Sequence, residues 1–376
     1  MNRIIHIISG LDDGGAESLL FSLLSNDNSN THYVISLTSG GKYGEKLKEK
    51  NIEIFFLRIK NIISFIKAIV YCNKLLNKIK PDTIQTWMTH ANLFSFFLIS
   101  SFKKNLVWSV HFNRIILGKF KLSTICAIYF CVIGSYFSPR KIICVSNSVR
   151  DNQVKIKMNR KKLIVINNGI NTNYFIPDLS LSTKSNHSFK LNDRPFKIGM
   201  AARFDGHKDH KSLLEAIKLL KDNKYKVDCY LVGQGVDEKN EELKNLINLL
   251  GINSNIYLMG SVDDIRKFYQ SIDLHILSSF SEASPLVIIE SMSCGIPNIS
   301  TRVGDAPFMI SETGWIVPIA KPKILYQTII QSINEIIFMH DIWIKRKINC
   351  RERVKKSYEI ERMIDEYNQI WSLNIS

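Results

Sequence analysis

Short runs of apolar residues alternate along the chain with longer segments in which apolar residues recur every three or four positions. The short runs are rich in Ile, Val, Phe and Tyr and predict β-strands, whereas longer segments such as 16–25 and 61–80 predict amphipathic helices. This alternation is typical of parallel sheets whose strands are joined by helical crossovers. In the first half the predicted strands are 4–9, 32–37, 52–57, 83–87, 106–110, 141–146 and 162–167.

The alternation stops at residues 178–195, which are polar, rich in Ser and Asn, and without periodicity, so this segment is predicted to be an interdomain linker. Strands are predicted again at 196–203, 227–233, 255–260, 274–278, 298–301 and 315–318. We therefore expect an α/β fold with two doubly wound, Rossmann-like domains, 1–185 and 186–355, that face each other across a cleft. Residues 356–376 predict a C-terminal helix that packs back on the first domain.

Composition excludes several classes of protein. Apolar residues make up 45% and charged residues 22% of the 376 positions, which indicates a globular chain rather than a disordered one. Residues 1–8 are too short for the apolar region of a signal peptide, so we expect a cytoplasmic chain. The seven scattered cysteines predict neither disulfides nor a zinc site, and the HxxH of His207 and His210 lacks a third ligand nearby. No metal or other cofactor is predicted.

The net charge of +16 lies in the first half of the chain. Residues 1–190 contain 26 Lys and Arg against 10 Asp and Glu, whereas residues 191–376 contain 24 of each. No acidic residue occurs between Asp82 and Asp151, an interval that contains Lys103, Lys104, Arg114, Lys119, Lys121, Arg140, Lys141 and Arg150. Such a one-sided charge attracts a polyanion or an anionic membrane surface. A nucleic acid is not favoured, because the basic half lacks interleaved aromatic residues and known binding modules.

The uncharged segment 122–137 lies within this basic half. Its 16 residues are fewer than the ~20 that a membrane-spanning helix needs. Two interpretations stay open: a buried core helix, or a helix that lies in the lipid interface between basic flanks.

Two loops that follow predicted strands carry groups able to bind an anion. In GLDDGGAES (10–18), the backbone N–H groups of Gly14 and Gly15 could hold an anion or a sugar oxygen, although a plain tight turn explains the glycines as well. In MAARFDGHKDHKSLLEA (200–216), Arg203 and Lys208 could converge on one diphosphate. The alternative for the second loop is a solvated basic surface.

A third stretch, SEASPLVIIESMSCGIP (281–297), contains two glutamates eight positions apart. Pro285 suits the start of a helix and Gly295 its end, which places Glu282 in the preceding loop and Glu290 on the second turn. The helix N-terminus attracts an anion, and carboxylates accept hydrogen bonds from hydroxyl groups. A nucleotide-sugar would satisfy all these groups at once, whereas either glutamate alone suits a surface or capping position.

Nine motifs in a fixed order extend over nearly the whole chain. They are GLDDGGAE, QTWMTHANL, VSNSVRDN, VINNGINTNYFIP, ARFDGHKDH, LVGQGVDEKNEEL, LMGSVDDI, SEASPLVIIESMSCGIP and VGDAPFMISETGWIVP. In order and spacing they resemble the retaining nucleotide-sugar glycosyltransferases of family four, which have the two-domain GT-B fold. The closest resemblance is to the subgroup that builds bacterial surface polysaccharides such as O-antigen and capsule.

The resemblance implies which residues hold the donor. Glu282 would bind the hydroxyls of the transferred sugar, and Glu290 the ribose of the nucleotide. Arg203 and Lys208 would neutralise the leaving diphosphate. Further donor contacts would come from Gly14, Gly15, the backbone around Val262, and the amides of Ser284 and Leu286.

A histidine contacts the sugar in many members of this family. His111 is the nearest match and would be a catalytic residue, and His90 is the second candidate. A histidine satisfied within the core is the alternative for either one. Ala283 and Ser284 stand where relatives usually have Gly-Phe or Ala-Phe, so the shape of the sugar pocket is expected to differ.

The resemblance implies a retaining, metal-independent hexosyltransferase. The chain has no Asp-x-Asp motif, so cations and a helix terminus would have to stabilise the departing diphosphate. The implied donor is a nucleotide-sugar, UDP-linked hexose or N-acetylhexosamine, bound by the second domain. The implied acceptor is an oligosaccharide on a polyprenyl diphosphate, bound by the basic first domain at the inner face of the cell membrane.

Two other enzyme classes share parts of this pattern. A nucleotide-sugar epimerase can have the same architecture, but it needs acid and base groups in the cleft that are not identifiable here. A hydride-transferring Rossmann enzyme needs a GxGxxG motif with a downstream acidic residue, which this sequence lacks.

Overall fold

The computed structural model describes residues 1–12, 14–103, 105–112, 122–178 and 194–372. Contacts between residues divide the chain into two units. Met1–Gly169 and Ile360–Ser376 form the first unit, and Ile170–Glu359 forms the second. The predicted domain boundary at 185/186 lies outside the described residues, as do Asp13, Lys104, Arg114, Lys119 and Lys121.

The first unit is a parallel sheet of seven strands with helical crossovers. Its strands are β1 (Arg3–Ile8), β2 (Thr31–Ser36), β3 (Glu53–Phe56), β4 (Thr83–Trp87), β5 (Leu106–Val110), β6 (Lys141–Cys144) and β7 (Leu163–Val165). Its helices are α1 (Gly15–Asn26), α2 (Lys42–Glu49), α3 (Ile62–Ile79), α4 (Met88–Phe94), α5 (Ser100–Lys103), α6 (Leu122–Gly134) and α7 (Asn147–Lys155). The strand order β3-β2-β1-β4-β5-β6-β7 reverses beside β1, which is the arrangement of a doubly wound sheet.

The second unit repeats this architecture with six parallel strands. They are β8 (Phe196–Ala201), β9 (Val227–Val232), β10 (Ile256–Leu258), β11 (Leu274–Leu277), β12 (Asn298–Thr301) and β13 (Trp315–Val317), in the order β10-β9-β8-β11-β12-β13. Its helices are α8 (His210–Asp222), α9 (Glu241–Leu250), α10 (Ile265–Ser271), α11 (Leu286–Ser293), α12 (Ala306–Ile310), α13 (Pro322–Phe338) and α14 (His340–Ser357). The predicted pair of doubly wound α/β domains is confirmed.

The last helix, α15 (Ile360–Trp371), returns to the first unit as predicted. The Thr83 hydroxyl donates to the Trp371 carbonyl at 3.1 Å, and Asn30 donates to the Asn368 side chain at 2.6 Å. The indole of Trp371 lies edge-on to the buried ring of His6, with 5.6 Å between centroids. The chain therefore leaves the first unit and comes back to it.

Three polar side chains and an indole form a continuous hydrogen-bonded chain inside the first unit. The Trp87 indole N–H donates to His6 Nδ1 at 3.1 Å, and because indole is a donor only, His6 Nε2 carries the proton toward His32 Nδ1 at 3.0 Å. His32 Nε2 then lies 3.1 Å from Asp27 Oδ2. Burial lowers the pKa of His6 well below its usual value, so this chain joins β1, β2 and β4 with a neutral His6 ring.

Helix α6 is buried along one face only. Ala127, Ile128 and Cys131 face the interior, whereas Phe130 and Ile133 are exposed. The interpretation of segment 122–137 as a buried core helix is therefore wrong for the outer face. Within the described ranges, no helix combines the length and apolar character needed to cross a bilayer.

The capping box of α3 gives a direct test of local stability. The Asn61 side chain accepts from the Ser64 amide, and the Ser64 hydroxyl accepts from the Asn61 amide, both at 2.9 Å. We expect Asn61→Ala to lower the free energy of unfolding by about 1 kcal/mol in urea titrations, because the Ser64 amide loses the side-chain oxygen that accepts from it. Asn77→Ala, at an exposed position of the same helix, is the control and should cause no loss. Equal effects of the two substitutions would contradict the capping assignment.

Candidate active site

The loop after β8 carries two of the predicted cations, Arg203 and Lys208. The loop is folded on itself, since the Lys208 amide donates to the Asp205 carbonyl at 2.9 Å and the His207 amide to Asp205 Oδ1 at 2.8 Å. Arg203 Nη2 lies 3.5 Å from Asp205 Oδ2, and its side chain is 54% exposed. Asp209, at a φ of 51°, then starts α8. The carboxyl end of β8 thus presents one cation to solvent and holds the other beside a helix start.

Lys208 and Glu282 are brought together although 74 positions separate them. Glu282 Oε1 accepts from Lys208 Nζ and from the Ser279 hydroxyl, each at 2.7 Å. The Lys208 and Glu282 side chains are only 23% and 13% exposed. Charge-assisted hydrogen bonds shielded to this degree fix the direction of the carboxylate.

The loop after β12 packs closely against the backbone of the loop that carries Glu282. Gly304 has a φ of +50°, and a Cβ there would lie 2.4 Å from the Ala283 carbonyl oxygen and 2.5 Å from that of Glu282. The Asp305 amide donates to the Ala283 carbonyl at 3.2 Å. Only glycine permits this approach, so the position of Glu282 depends on a residue 22 positions further along the chain.

Glu290 lies on α11, as predicted, and is half-buried. Its Oε2 accepts from the Tyr269 hydroxyl at 2.8 Å. Burial raises the pKa of Glu290 to about 7, although the hydrogen bond from Tyr269 acts in the opposite direction. Glu290 therefore gains or loses its charge near neutral pH, and the two glutamates of the motif have different surroundings.

The N-terminus of α11 adjoins the loop that carries Glu282. Pro285 is the N-cap residue, and its own side chain makes no capping hydrogen bond. Gly295, at a φ of 74°, follows the last turn, so the predicted helix bounds are confirmed. Ser284 is buried, and Leu286 begins the helix. The amides at this helix start carry a partial positive charge that suits an anion.

The predicted donor residue Val262 lies in the second unit, beside α10. It packs against a buried cluster that includes Tyr269 and Phe268. Tyr174 lies near Glu290 and donates from its hydroxyl to Asp264 Oδ1 at 3.1 Å. The surroundings of Glu290 are therefore aromatic and only partly solvated.

The loop that contains Gly14 and Gly15 lies in the first unit and leads directly into α1. Gly14 is the N-cap residue, and a Cβ there would lie 2.3 Å from the Glu17 Oε2 atom. A Cβ on Gly15, in contrast, would have no other atom within 4 Å. Glu17 folds over the helix start at Gly14, but its flexible side chain can move aside, so this contact alone does not require a glycine there.

The two candidate histidines of the first unit differ in burial. His111 stacks on the Trp87 indole, with 5.3 Å between centroids, and its Nε2 lies 3.0 Å from the Ser109 hydroxyl. Burial lowers the pKa of His111 to about 4, so the ring is neutral at pH 7. His90 lies exposed on α4. Of the two, only His111 is oriented by neighbours that the structure describes.

Sequence reasoning missed the two hydroxyls that hold the glutamates, Ser279 and Tyr269. Ser279 lies three positions before Glu282, a spacing that could have indicated a local hydrogen bond. Tyr269 lies on α10, 21 positions before Glu290, and no local pattern links them. In the part of the chain that the structure describes, no three His, Cys, Asp or Glu side chains gather as a metal would require.

The arrangement in the second unit suits a ligand that combines phosphates with hydroxyl groups. Arg203, Lys208 and the start of α11 provide positive charge, and Glu282 and Glu290 provide acceptors for hydroxyls. All of them lie on loops or helix turns that follow the carboxyl ends of β8 and β11, which are adjacent in the sheet. In doubly wound sheets this edge is where ligands bind.

Two family models match the chain. The model described as "Glycosyltransferase Family 4" matches residues 13–174, and "Glycosyl transferases group 1" matches residues 195–335. Together they cover both units of the structure.

Curated relatives carry names of the same kind. The chain is 25% identical over 303 residues to a capsular polysaccharide biosynthesis glycosyltransferase, CapH, of Staphylococcus aureus, covering 77% of this chain and 79% of that protein. It is 26% identical over 284 residues to the N,N'-diacetylbacillosaminyl-diphospho-undecaprenol alpha-1,3-N-acetylgalactosaminyltransferase of Campylobacter jejuni, covering 68% and 69%. A UDP-Gal:alpha-D-GlcNAc-diphosphoundecaprenol alpha-1,3-galactosyltransferase of Escherichia coli is 22% identical over 61% of this chain and 59% of its own length.

Solved structures share the fold. Anabaena Alr3699/HepE in complex with UDP superposes with a TM-score of 0.84 at 17% identity, covering 98% of this chain and 99% of that one. TarM superposes with a TM-score of 0.77 at 12% identity, covering 99% of each chain. At these identities the likeness concerns the fold alone.

Proposed function

Because the chain belongs to glycosyltransferase family 4, we propose that it transfers a hexose or N-acetylhexosamine, with retention, from a UDP-sugar to an oligosaccharide on a polyprenyl diphosphate. The relatives named for undecaprenyl-diphosphate acceptors and for capsule synthesis support this choice of acceptor and of pathway class. The chain would then act in the assembly of a bacterial surface polysaccharide. Its place would be the inner face of the cell membrane, where the lipid-linked acceptor lies.

The observation that carries the proposal is the contact between Lys208 and Glu282 at the carboxyl ends of adjacent strands. A carboxylate directed by a lysine and a hydroxyl can accept hydrogen bonds from a sugar. The same lysine, with Arg203, can face the phosphate to which that sugar is attached. Glu290 can then accept hydrogen bonds from the hydroxyls of the ribose. A nucleotide-sugar is a ligand in which these groups occur in that order.

In the proposed reaction the cations of the second unit stabilise the leaving group without a metal ion. The bond between the anomeric carbon and the phosphate oxygen breaks, and negative charge develops on the nucleoside diphosphate beside Arg203 and Lys208. The acceptor hydroxyl attacks the same face of the anomeric carbon and gives its proton to the departing phosphate oxygen. The new glycosidic bond therefore keeps the configuration of the donor. No general base from the protein is required.

In the first unit, we propose Gly14, Gly15 and His111 as further donor contacts. His111 is neutral at pH 7, so it would contact a sugar hydroxyl as a dipole rather than as a charge. Gly15 leaves open space at the start of α1, where a phosphate or sugar oxygen could meet the backbone.

A thermal-shift panel of nucleoside diphosphates and nucleotide-sugars tests the donor class. A bound donor at about 100 times its dissociation constant should stabilise the protein by about 2.7 kcal/mol, a rise of about 5 °C in melting temperature. We expect the rise with UDP and UDP-sugars and not with GDP or AMP. Arg203→Ala should reduce the rise, because one of the two diphosphate cations is lost.

Lys218→Ala is the matched control for Arg203→Ala. Lys218 lies on α8, where it pairs with Asp222 on the exposed surface, so its loss should leave the shift unchanged. If no nucleotide raises the melting temperature of the intact chain, the proposed donor class is wrong. Consumption of donor without any acceptor, with a new sugar isomer formed, would instead assign the epimerase function.

A further inference from the structure

Large apolar side chains on the surface concentrate in one part of the first unit. Among the described residues, 25 large apolar side chains are exposed, and 13 of them lie between Ile62 and Phe137. Water-exposed apolar residues are ordinary when scattered, but a contiguous group indicates an interaction site. Two helices and the segment between them carry most of this group.

Helix α6 carries an apolar stripe on its outer face. Exposed residues recur at helical spacing at Leu122, Cys126, Tyr129, Phe130 and Ile133. The stripe continues past the helix end to Phe137, which is 84% exposed. Its inner face is also apolar, and Ser123 and Thr124 in the first turn are the polar side chains of this helix.

Helix α3 adds a second exposed apolar stripe with lysines beside it. Ile62, Ile63, Ile66 and Val70 are exposed on its first three turns. Lys67, Lys74 and Lys78 are exposed along the same helix. Its opposite face is buried through Ala68, Cys72, Leu75 and Leu76.

The segment between these helices joins the two stripes. The Phe97 ring lies edge-on to Phe65 of α3 at 5.1 Å, and its carbonyl accepts from Asn73 at 3.2 Å. The neighbouring Phe96 packs on the end of α6, since a Cβ on Gly134 would lie 2.0 Å from its ring. Phe97 is itself exposed. We call the exposed apolar residues of α3, Phe97 and α6 the α3–α6 surface.

Basic residues border this surface. The Tyr136 hydroxyl donates to the Lys157 carbonyl at 3.0 Å, and Lys162 Nζ donates to the Tyr136 carbonyl at 3.3 Å. The segment 157–162 therefore adjoins the end of the α6 stripe, and it contains four Lys and Arg and no acidic residue. Over residues 54–150, Asp82 is the single acidic residue against 14 Lys and Arg.

We propose that the α3–α6 surface inserts into the headgroup region of an anionic lipid bilayer. The inference rests on the proposed function, because a lipid-linked acceptor brings the enzyme to a membrane. An apolar stripe with cationic borders is the composition of helices that lie in the plane of the interface. A second copy of the chain fits less well, since a face-to-face contact would bring like charges together. Binding therefore combines apolar burial with attraction to anionic headgroups.

Vesicle sedimentation of the full-length chain measures this binding without donor or acceptor. We expect the chain to sediment with vesicles of phosphatidylglycerol and phosphatidylcholine, and at least about tenfold less with phosphatidylcholine alone. Ile133→Ser and Phe130→Ser should each weaken binding to the mixed vesicles by about tenfold. Phe338→Ser, at a 76% exposed residue of the second unit, is the matched control and should bind as the unchanged chain does.

The natural cysteines allow a second test in which the labelled chain itself carries no substitution. All seven lie in described residues, and Cys126, on the α6 stripe, is the exposed one. A polarity-sensitive fluorophore on Cys126 should shift to the blue when mixed vesicles are added. The same label on Leu249→Cys in a Cys126→Ser background, at an 84% exposed site of the second unit, should not shift.

The outcomes separate this inference from the donor assignment. Vesicle binding with no nucleotide-induced thermal shift would support the surface and remove the donor proposal. A nucleotide-induced thermal shift with no vesicle binding would support the donor proposal and remove the proposed membrane surface. Loss of vesicle binding in Phe338→Ser rather than in the α6 variants, or self-association through Cys126 without a response to lipid, would overturn the proposed role of the α3–α6 surface.

Discussion

Replacing Lys208 by alanine is expected to lower kcat/KM for sugar transfer by about 10³-fold, or about 4 kcal/mol of barrier. The change removes the shielded ammonium group that would face the leaving diphosphate. It also leaves the Glu282 carboxylate, now without its lysine, where it repels that phosphate. Steady-state release of the nucleoside diphosphate in the presence of a polyprenyl-diphosphate acceptor measures the effect.

Lys211→Ala is the matched control for this prediction. Lys211 lies three positions further along, on α8, and faces Glu215 at 3.8 Å on the exposed surface. It should retain kcat/KM within about twofold, as surface ion pairs contribute little. A Lys208→Ala variant with more than a tenth of normal activity would show that this lysine does not carry leaving-group charge.

A double-mutant cycle separates the two roles of the Lys208–Glu282 contact. Glu282→Gln alone should also reduce transfer, because a neutral amide binds sugar hydroxyls less strongly than a carboxylate. Added to Lys208→Ala, however, it removes the repelling charge, so the combined loss should be smaller than the two single losses together. Additive losses would indicate that the two side chains act independently in the reaction.

Strand positions could be predicted most closely where the strand is buried along its whole length. Predicted and observed bounds coincide for Thr83–Trp87, Leu106–Val110 and Asn298–Thr301. The predicted strand 162–167 is shortened to Leu163–Val165. Its pairing with β6 ends at the partner residue Cys144, where β6 itself ends. A sequence run does not reveal where the neighbouring strand ends.

The candidate site could be predicted only as far as local signals extend. Pro285 and Gly295 bound α11 and so place Glu290 on a helix. The contacts that orient the glutamates join different segments: Glu282 to Lys208, and Glu290 to the hydroxyl of Tyr269. The first contact depends on β8 lying beside β11, and the second on α10 packing against α11; both are matters of tertiary arrangement rather than of residue pattern.

The sequence could not predict how much of α6 is exposed, because exposure also depends on contacts between distant segments. Its residues are uncharged on every face, so their periodicity cannot separate a buried helix from one that covers the sheet with a single face. The burial of Ala127, Ile128 and Cys131 alone is a property of the packing against neighbouring elements. The outer face remained apolar without being covered by the described part of the chain.

Replacing Glu290 by alanine is expected to raise the dissociation constant of the nucleotide-sugar about 100-fold, because hydrogen bonds to a charged group contribute about 1.5–3 kcal/mol each. Titration calorimetry with the UDP-sugar that gives the largest thermal shift measures the constant. Glu242→Ala, at an exposed glutamate of the second unit, is the matched control and should bind as the unchanged chain does. A loss below about fivefold would remove Glu290 from the proposed ribose site.

The pH dependence of binding identifies Glu290 more specifically. Burial raises its pKa to about 7 in the free chain, and hydroxyl donors of a ligand favour the ionised carboxylate. Donor binding should therefore release a proton and strengthen by about tenfold from pH 6 to pH 8. A nucleotide-sugar suits this measurement, because each of its two phosphates has only one, strongly acidic proton and so does not titrate in that range. Glu290→Gln should abolish the dependence.

The contribution of Glu290 to the stability of the free chain should fall as the pH rises, whereas donor affinity should increase. A carboxyl whose pKa rises on folding, here from 4.5 to about 7, favours the folded state below its unfolded pKa. That contribution is lost as the pH rises through about 7. The difference in melting temperature between the unchanged chain and Glu290→Gln should follow this course, while donor affinity improves over the same interval.

Tyr269→Phe supplies the decisive comparison, because it alters the pKa of Glu290 without removing its carboxylate. The Tyr269 hydroxyl donates to Glu290 and lowers its pKa, so its loss should move the midpoint of the binding profile to higher pH. Cys294 and Tyr174 also lie near Glu290, but burial raises the pKa of both groups, so neither carries a charge between pH 6 and pH 8. If Tyr269→Phe shifts the midpoint and Glu290→Gln removes it, the titrating group is Glu290; an unchanged profile in both variants would assign the pH dependence to another residue.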